Sequence, residues 1–225
     1  MGSISEKMEE HYKQTFEKHG ATSLGVDWGA VSADHQLRLQ KMLSVLLEGH
    51  EDATVLDVGC GFGSLYDLIV KNDISLRYSG VDLCENMINY AKKQHPNCEW
   101  INGDFLSLNS EHGTYDYVVC NGILTQKLVV GQKEMDSFAK ELIKKMFSMC
   151  NVGVAFNIMT THANYFTENL YYRNPAELLG WIMSELTGKV KLDHSYPLFE
   201  YTLYLYKEDF PLMSYGAHRT LKGEV

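Results

Sequence analysis

The chain has 225 residues, a length suited to one α/β domain with insertions. Its 45% hydrophobic and 22% charged residues are close to the averages of folded proteins and argue against disorder and membrane spans. The formal net charge of -9 repels phosphate backbones and anionic lipid surfaces, so nucleic acid and membranes are poor partners.

The five cysteines are Cys60, Cys84, Cys98, Cys120 and Cys150. They include no CxxC pair and are odd in number, which predicts neither a metal site nor a disulfide framework. No apolar run approaches the roughly 20 residues of a membrane helix, and the N-terminal stretch is too polar for a signal peptide. We therefore expect a cytoplasmic protein.

Two helices are predicted before the first strand. Met8, Tyr12 and Phe16 recur every four residues, which predicts a weakly amphipathic helix over residues 5–18. Residues 34–48 repeat leucine and methionine with helical period, and Gly49 follows as a stop signal. These helices are expected to cover the main body of the protein.

From residue 54 onwards, short apolar runs alternate with helical segments. The predicted strands are residues 54–58, 78–81, 98–101, 115–120, 153–158, 190–194 and 201–207. The predicted helices between them are residues 64–71, 85–94, 133–150 and 175–186. This alternation is typical of an α/β fold with a mostly parallel seven-stranded sheet, helices on both faces and an antiparallel last strand.

The most specific motif is VLDVGCGFG at residues 55–63, a buried-strand pattern that ends in a glycine cluster and opens a helix. Gly59, Gly61 and Gly63 are expected to form a ligand loop, since glycine allows positive φ and close approach of the backbone. About twenty residues later the second strand ends in Asp82, where a Rossmann-type site needs a carboxylate for ribose hydroxyls. A dinucleotide dehydrogenase shares both features.

These residues resemble the class I S-adenosylmethionine (SAM)-dependent methyltransferases, and the later motifs favour that family over a dehydrogenase. Its motifs are matched in order by residues 55–63, 80–93, 102–104 and 115–124. The resemblance implies a Rossmann-like methyltransferase fold and SAM as cofactor. It implies that Asp57 lies near the methionine amino group, that Asp82 holds the ribose and Asp104 the adenine, and that the backbone of Gly59 and Gly61 holds the methionine.

The same resemblance extends the predicted cofactor site to further residues, namely Cys60, Leu83, Met87, Gly103, Phe105 and Asn121. Met87 is equally open to plain core packing. Cys84 stands where a serine or threonine often caps the second helix, so a weaker cap is expected there. The single domain, residues 1–225, is divided into an N-terminal helical cap at 1–50, a SAM-binding core at 51–160, and a substrate-loop insertion with C-terminal strands at 161–225.

Tyr12, Trp28 and Arg38 are candidates for a lid over the cofactor. A guanidinium can grip the methionine carboxylate in a bidentate way, and aromatic rings exclude water. A surface salt bridge for Arg38 and simple packing for Trp28 remain open.

Acceptor specificity is expected from residues 121–128 and from the insertion after residue 158. In the insertion an apolar wall is predicted from the aromatic residues Tyr165, Phe166, Tyr171 and Tyr172, with His162 and Arg173 as polar groups. The rings are equally able to cover the sheet beneath a long loop. His162 or His194 could act as a base if the acceptor needs one.

The predicted function is transfer of a methyl group from SAM to oxygen, nitrogen or carbon of a small metabolite or natural product. Amino-methylating nucleic-acid enzymes carry [DNS]PP[YF] after the fourth strand, whereas residues 121–124 read NGIL. The alternatives are an RNA-modifying methyltransferase, which this tetrapeptide and the negative charge disfavour, and a SAM-binding partner subunit without catalysis. A modified SAM also stays open as donor. A monomer or homodimer is expected.

Overall fold

A computed structural model describes residues 3–29, 31–47, 52–108 and 114–207. Its sheet contains the following strands: β1 (Ala53–Val58), β2 (Leu76–Asp82), β3 (Glu99–Asn102), β4 (Tyr115–Cys120), β5 (Cys150–Thr160), β6 (Tyr172–Arg173), β7 (Val190–Asp193) and β8 (Glu200–Tyr206). The strand order is β3-β2-β1-β4-β5-β8-β7, and β6 pairs with β5. All pairings are parallel except those of β8 with β5 and β7. From β1 the chain adds strands towards one edge of the sheet, up to β3, and then towards the other edge, beginning with β4. Open α/β sheets bind ligands at such a switch point, here between β1 and β4.

Helices cover both faces of this sheet. They are α1 (Ile4–His19), α2 (Ser32–Leu43), α3 (Ser64–Lys71), α4 (Glu85–Gln94), α5 (Gln132–Met149) and α6 (Pro175–Glu185). Leu56 and Val118 of the sheet share one buried cluster with residues of α1, α5 and α6. Val55 and Tyr117 point to the opposite face and share a second cluster with α2, α3 and α4. The alternation of side chains along each strand thus builds two cores.

The predicted fold class is confirmed, with one more strand than expected. The additional strand β6 has two residues, too few to produce a periodic pattern, and it pairs in parallel with Met159 and Thr160. On one edge of β5, pairing with β4 ends at Phe156. On the other edge, β8 pairs with β5 as far as Met159. Strand β6 therefore lies along the edge of β5 that β4 leaves open.

Helix α2 ends at Leu43, earlier than the predicted residue 48, and Gly49 lies outside the described residues. Beyond the helix, hydroxyl groups of sheet tyrosines bind the backbone. Tyr206 donates its hydroxyl to the Val45 carbonyl (3.2 Å), and Leu47 N–H donates to the Tyr117 hydroxyl (3.2 Å). Val45 is buried and Leu46 and Leu47 are half-buried. Backbone turns and these tertiary hydrogen bonds take the place of further helix here.

Helix α1 begins with a complete capping box between Ser3 and Glu6. The N-cap of helix α4 is Cys84, whose side chain makes no capping hydrogen bond, as expected from its sequence. The Cys84 N–H donates instead to Asp82 Oδ1 at 2.8 Å. Across the described ranges, no helix is both long and apolar enough to cross a bilayer.

Candidate functional site

A cleft opens at the carboxyl edge of the parallel strands, between the ends of β1, β2 and β4. Its floor includes the glycine loop after β1, and its cover includes Ser5, Met8, Glu9 and Tyr12 of α1. Most of the predicted cofactor-binding residues line this cleft: Tyr12, Trp28, Asp57, Gly59, Cys60, Gly61, Asp82, Leu83, Met87, Gly103, Asp104, Phe105 and Asn121. Gly63 and Arg38 do not.

The glycine loop has the backbone that its sequence predicts. Gly59, Gly61 and Gly63 have φ values of 75°, 55° and 95°, the left-handed region that favours glycine. A Cβ on Gly59 would lie 2.7 Å from the side chain of Ile123, and one on Gly63 would lie 2.8 Å from Trp100. Neither Gly59 nor Gly63 therefore has room for a side chain. Gly63 serves helix α3 and its packing on Trp100, not the cleft.

Asp82 stabilises this loop through hydrogen bonds. Its Oδ2 accepts a hydrogen bond from Gly61 N–H and its Oδ1 accepts one from Cys84 N–H, both at 2.8 Å. Burial raises the pKa of Asp82, while these backbone N–H groups act in the opposite direction. One carboxylate therefore holds together the glycine loop and the start of α4.

Asp57 lies at the third position of the same motif and is 3% exposed. Its Oδ2 accepts the Tyr78 hydroxyl proton at 2.7 Å, and its buried Oδ1 has no partner in the described part of the chain. Burial raises the pKa of Asp57 to about 7; the Tyr78 hydrogen bond lowers it and Asp82 adds to the rise. A buried carboxylate oxygen without a partner is stabilised by a cation that enters the cleft.

Asp104 lies at the other end of the cleft. Its Oδ1 accepts Leu106 N–H at 2.9 Å and caps the short turn Phe105–Ser107, and its Oδ2 accepts the Ser5 hydroxyl at 2.8 Å. The hydrogen bond from Ser5 connects α1 to this end of the cleft. Met87 lines the cleft and is also packed with Phe62 and Cys84, so its contact with an adenine ring stays a prediction.

Cys60 lines the cleft as a buried thiol. Burial, followed by the charges of Asp82 and Asp57, raises the pKa of Cys60 well above its usual value. A thiol in this state is protonated and a poor nucleophile. The structure therefore gives Cys60 a packing role in the loop.

Arg38 does not line the cleft, where it was expected to bind a ligand carboxylate. Its Nε donates to Glu200 Oε2 at 2.8 Å, and its guanidinium lies 4.2 Å from the centroid of the Trp28 ring. Glu200 is fully buried and also accepts Asn157 Nδ2 at 3.1 Å, while Asn157 Oδ1 accepts Gly122 N–H at 2.9 Å. The ion pair therefore belongs to a buried network that holds the turn after β4. No sequence pattern points to Glu200 or Asn157, because each is a single polar residue beside or within an apolar strand pattern.

The aromatic residues of the insertion do not line the cleft. Tyr165 and Phe166 are 62% and 60% exposed, and they contact Phe199 and Tyr172 in edge-to-face pairs. Tyr171 is buried, and its hydroxyl donates to Asp136 Oδ1 at 2.7 Å.

The polar members of the predicted acceptor site are also outside the cleft. Arg173 Nη1 donates to both carboxylate oxygens of Asp136 at 3.1 Å. Together with Tyr171, it holds the insertion against α5, because Asp136 offers a carboxylate where the insertion returns to the sheet. The exposed rings of His162 and His194 lie 6.4 Å apart on the surface, and neither lines the cleft.

Replacing Tyr171 by phenylalanine is expected to lower the free energy of unfolding by about 1.5 kcal/mol, since it removes one hydrogen bond to a charged group. Affinity for S-adenosylhomocysteine is expected to stay unchanged. Thermal unfolding and calorimetric titration measure the two quantities, with Tyr165→Phe as a matched control on an exposed tyrosine. Unchanged stability with a loss of affinity would show that Tyr171 serves the ligand site instead.

Known proteins similar to this chain are methyltransferases. Residues 55–146 match a family model described as a methyltransferase domain. A Mycobacterium tuberculosis protein named as a methyltransferase is 26% identical over 156 residues, 68% of this chain and 93% of that protein. These matches show a methyltransferase domain at residues 55–146 and support a class I SAM-dependent methyltransferase. A ubiquinone/menaquinone biosynthesis C-methyltransferase of Campylobacter jejuni is 26% identical over 145 residues, 62% of this chain but only 60% of that enzyme.

The methyltransferase fold extends over most of the chain. Magnesium protoporphyrin IX methyltransferase from Synechocystis PCC 6803, solved with bound SAM, superposes with a TM-score of 0.65 at 15% identity. The superposition covers 92% of this chain and 98% of that chain. At this identity the likeness shows the fold alone.

SAM is the methyl donor of this family, and the residues of the cleft fit it. The donor carries a sulfonium and an ammonium cation, and the unpartnered Oδ1 of Asp57 offers a buried anionic partner. The backbone of Gly59 and Gly61 lines the cleft, where it can contact a ligand directly. When bound, SAM supplies a methyl group that is already activated for transfer to a nucleophile.

Proposed function

We propose that this methyltransferase transfers the methyl group of SAM to a small metabolite or natural-product acceptor by in-line attack. The observation that carries the proposal is the convergence of Asp57, Asp82 and Asp104 on one cleft beside a glycine loop. Three carboxylates spaced along a cleft match a ligand that has an ammonium group, a ribose and an adenine in sequence.

In this proposal each carboxylate has its own partner. Asp57 holds the ammonium group, Asp82 the ribose hydroxyls and Asp104 the adenine amino group. The apolar side chains of Met87 and Phe105, both almost fully buried, contact the adenine ring. Carboxylates that also accept backbone hydrogen bonds are fixed in place, so their contacts with a ligand cost little further ordering.

The reaction needs positioning and exclusion of water more than acid–base chemistry, because the donor is already activated. Tyr12 and Trp28 cover the cleft from α1 and from the loop after it. Asn121 and Gly122 follow β4, where the resemblance places the transferable methyl group. An acceptor is expected to bind beside Trp28, which lies against Gly122 of this turn.

A small acceptor is supported by two observations. The net charge of -9 opposes binding of a phosphate backbone. One relative, the Campylobacter jejuni enzyme, is named for methylation in quinone biosynthesis. We further propose a cytoplasmic protein that acts as a monomer or homodimer, with residues 1–50 as cap, 51–160 as SAM-binding core, and 161–225 as insertion with C-terminal strands.

A methyl-transfer screen tests this proposal. The purified protein is incubated with SAM labelled in the methyl group and with fractionated small-molecule extracts, total RNA or the protein alone. Label in a small-molecule fraction is the expected result. Label in RNA, or tight binding of SAM without transfer to any fraction, would contradict the proposed function and favour an RNA-modifying enzyme or a non-catalytic subunit.

A further inference from the structure

Tyr78 lies outside the cleft, yet its hydroxyl contacts a carboxylate that lines the cleft. It is the third residue of β2, is 5% exposed, and donates its hydroxyl proton to Asp57 Oδ2 at 2.7 Å. Both side chains are buried, so bulk water does not compete for this hydrogen bond. A hydrogen bond to an ionised acceptor is also stronger than one between neutral groups.

The register of β1 and β2 explains how the phenol reaches this carboxylate. Tyr78 pairs with Val55, and Asp57 is two residues further along β1, on the same face of the sheet. The residue that pairs with Asp57 is Gly80. Since Gly80 has no side chain, β2 places none directly beside Asp57, and the phenol extends diagonally across the face to the carboxylate.

Packing and burial make the Tyr78 hydroxyl a permanent donor. The ring centroids of Tyr66 and Trp100 lie 5.1 Å and 5.4 Å from that of Tyr78 and hold the phenol in place. Burial, followed by the negative charge of Asp57, raises the pKa of Tyr78 well above its usual value. The hydroxyl therefore stays protonated at physiological pH and donates to the ionised carboxylate.

The other titratable groups that face Asp57 within the described residues carry no positive charge. Burial is the largest influence on the pKa of Asp57 and favours the neutral carboxyl, the Tyr78 hydrogen bond favours the ionised one, and Asp82 at the end of β2 adds to the rise. Cys60 in the glycine loop and Cys120 at the end of β4 are thiols whose pKa is raised by burial, so both stay neutral. The Tyr78 hydroxyl therefore opposes the effects of burial and of Asp82.

We propose that Tyr78 is a positioning residue for the cofactor: its hydroxyl holds Asp57 Oδ2, so that Oδ1 is the oxygen left to accept the ammonium group of the ligand. This inference rests on the proposed function, in which Asp57 holds that ammonium group. Asp57 lines the cleft, and its Oδ1 has no partner in the part of the chain that the structure describes. Without the hydroxyl, the buried carboxyl would keep its proton to higher pH and offer no charge to the ligand.

Nuclear magnetic resonance of protein labelled with carbon-13 in its aspartate carboxyl groups measures the pKa of Asp57 without any ligand. The Asp57 signal is assigned by its absence from Asp57→Asn. In Tyr78→Phe this pKa is expected to lie about one pH unit higher than in the unaltered protein. Tyr204→Phe is the matched control, because Tyr204 is also buried but donates its hydroxyl to the Lys41 carbonyl at 2.9 Å, outside the cleft. It is expected to leave the pKa of Asp57 unchanged.

Calorimetric titration with S-adenosylhomocysteine distinguishes positioning from a purely structural effect. Tyr78→Phe is expected to bind about tenfold more weakly than the unaltered protein at pH 6, but within about twofold of it at pH 8.5, because a higher pKa matters only where Asp57 is protonated. Titration of the ligand itself is common to both proteins and cancels in this ratio. Tyr78→Met, which also lacks the hydroxyl, is expected to show the same convergence.

A loss of affinity that is equal at the two pH values would overturn the proposal and leave Tyr78 a role in packing alone. So would a pKa of Asp57 that is the same in Tyr78→Phe and in the unaltered protein. If the unaltered protein bound no S-adenosylhomocysteine at either pH, the proposed function would be contradicted instead. The pKa of Asp57, measured without ligand, would still decide whether Tyr78 acts on this carboxyl.

Discussion

Replacing Asp82 by alanine is expected to weaken binding of S-adenosylhomocysteine by at least about 100-fold. Hydrogen bonds to charged groups contribute roughly 1.5–3 kcal/mol each, and a factor of ten in affinity corresponds to about 1.4 kcal/mol. The substitution removes the proposed contacts with both ribose hydroxyls. It also frees Gly61 N–H and Cys84 N–H, which the same carboxylate accepts in the structure.

Two further variants separate these effects. Asp82→Asn keeps an oxygen that can accept one backbone hydrogen bond, so its loss of affinity is expected to be smaller than that of the alanine variant. Asp67→Ala removes an exposed carboxylate of α3 and serves as the charge-matched control. Calorimetric titration measures the dissociation constant of each. A folded Asp82→Ala protein that binds with unchanged affinity would refute the ribose role.

The affinity for S-adenosylhomocysteine is expected to rise about tenfold between pH 6 and pH 8, because the pKa of Asp57 is raised to about 7 in the ligand-free protein. The ammonium group of the ligand needs the ionised carboxylate. Below the pKa, binding must include loss of the Asp57 proton, and above it the carboxylate is already charged. The Asp57→Asn variant is expected to bind weakly at both pH values and to lose this dependence.

The same pKa predicts an effect of opposite sign on the stability of the ligand-free protein. A carboxyl group whose pKa is raised on folding contributes stability that is present below the unfolded pKa and is lost as pH rises through the folded value, here about 7. Between the unfolded and the folded pKa, this contribution of Asp57 to the free energy of unfolding changes by up to about 1.4 kcal/mol for each pH unit. Asp57→Asn, which stays neutral, is expected to gain stability over the unaltered protein as pH rises from about 5 to 8.

Denaturant unfolding at several pH values measures this difference. Asp116→Asn is a suitable control, because Asp116 is also at a strand of the sheet but has a lowered pKa, held mainly by hydrogen bonds from Thr54 against the effect of burial. Stability curves of the unaltered protein and Asp57→Asn that run parallel from pH 5 to 8 would contradict the assigned ionisation of Asp57.

The sequence determines those elements whose signals are local. Helices α3 and α4 begin and end at the predicted residues, because a glycine turn and a strand end fix their starts. Helix α2 is shorter than its leucine pattern suggests, since Tyr117 and Tyr206 bind the backbone beyond residue 43 from distant strands. Such hydrogen bonds form only once the sheet has formed, so no local sequence pattern can predict them.

The candidate site shows the same division. Asp57, Gly61 and Asp82 could be placed from sequence because motif spacing along parallel strands brings them to one edge of the sheet. Arg38 and Tyr171 could not, because their carboxylate partners, Glu200 and Asp136, lie 162 and 35 residues away in the chain. His35 lines the cleft as well, and its position there depends on how α2 packs. Its sequence context is that of any histidine on an amphipathic helix.

Calorimetric titration of the purified protein with S-adenosylhomocysteine is the most direct test of the account. The cleft between β1 and β4 predicts saturable binding of one molecule per chain, strengthened between pH 6 and pH 8 and lost in Asp82→Ala. A well-folded protein that shows no heat of binding and no thermal stabilisation by this ligand at millimolar concentration would contradict the assignment of the cleft.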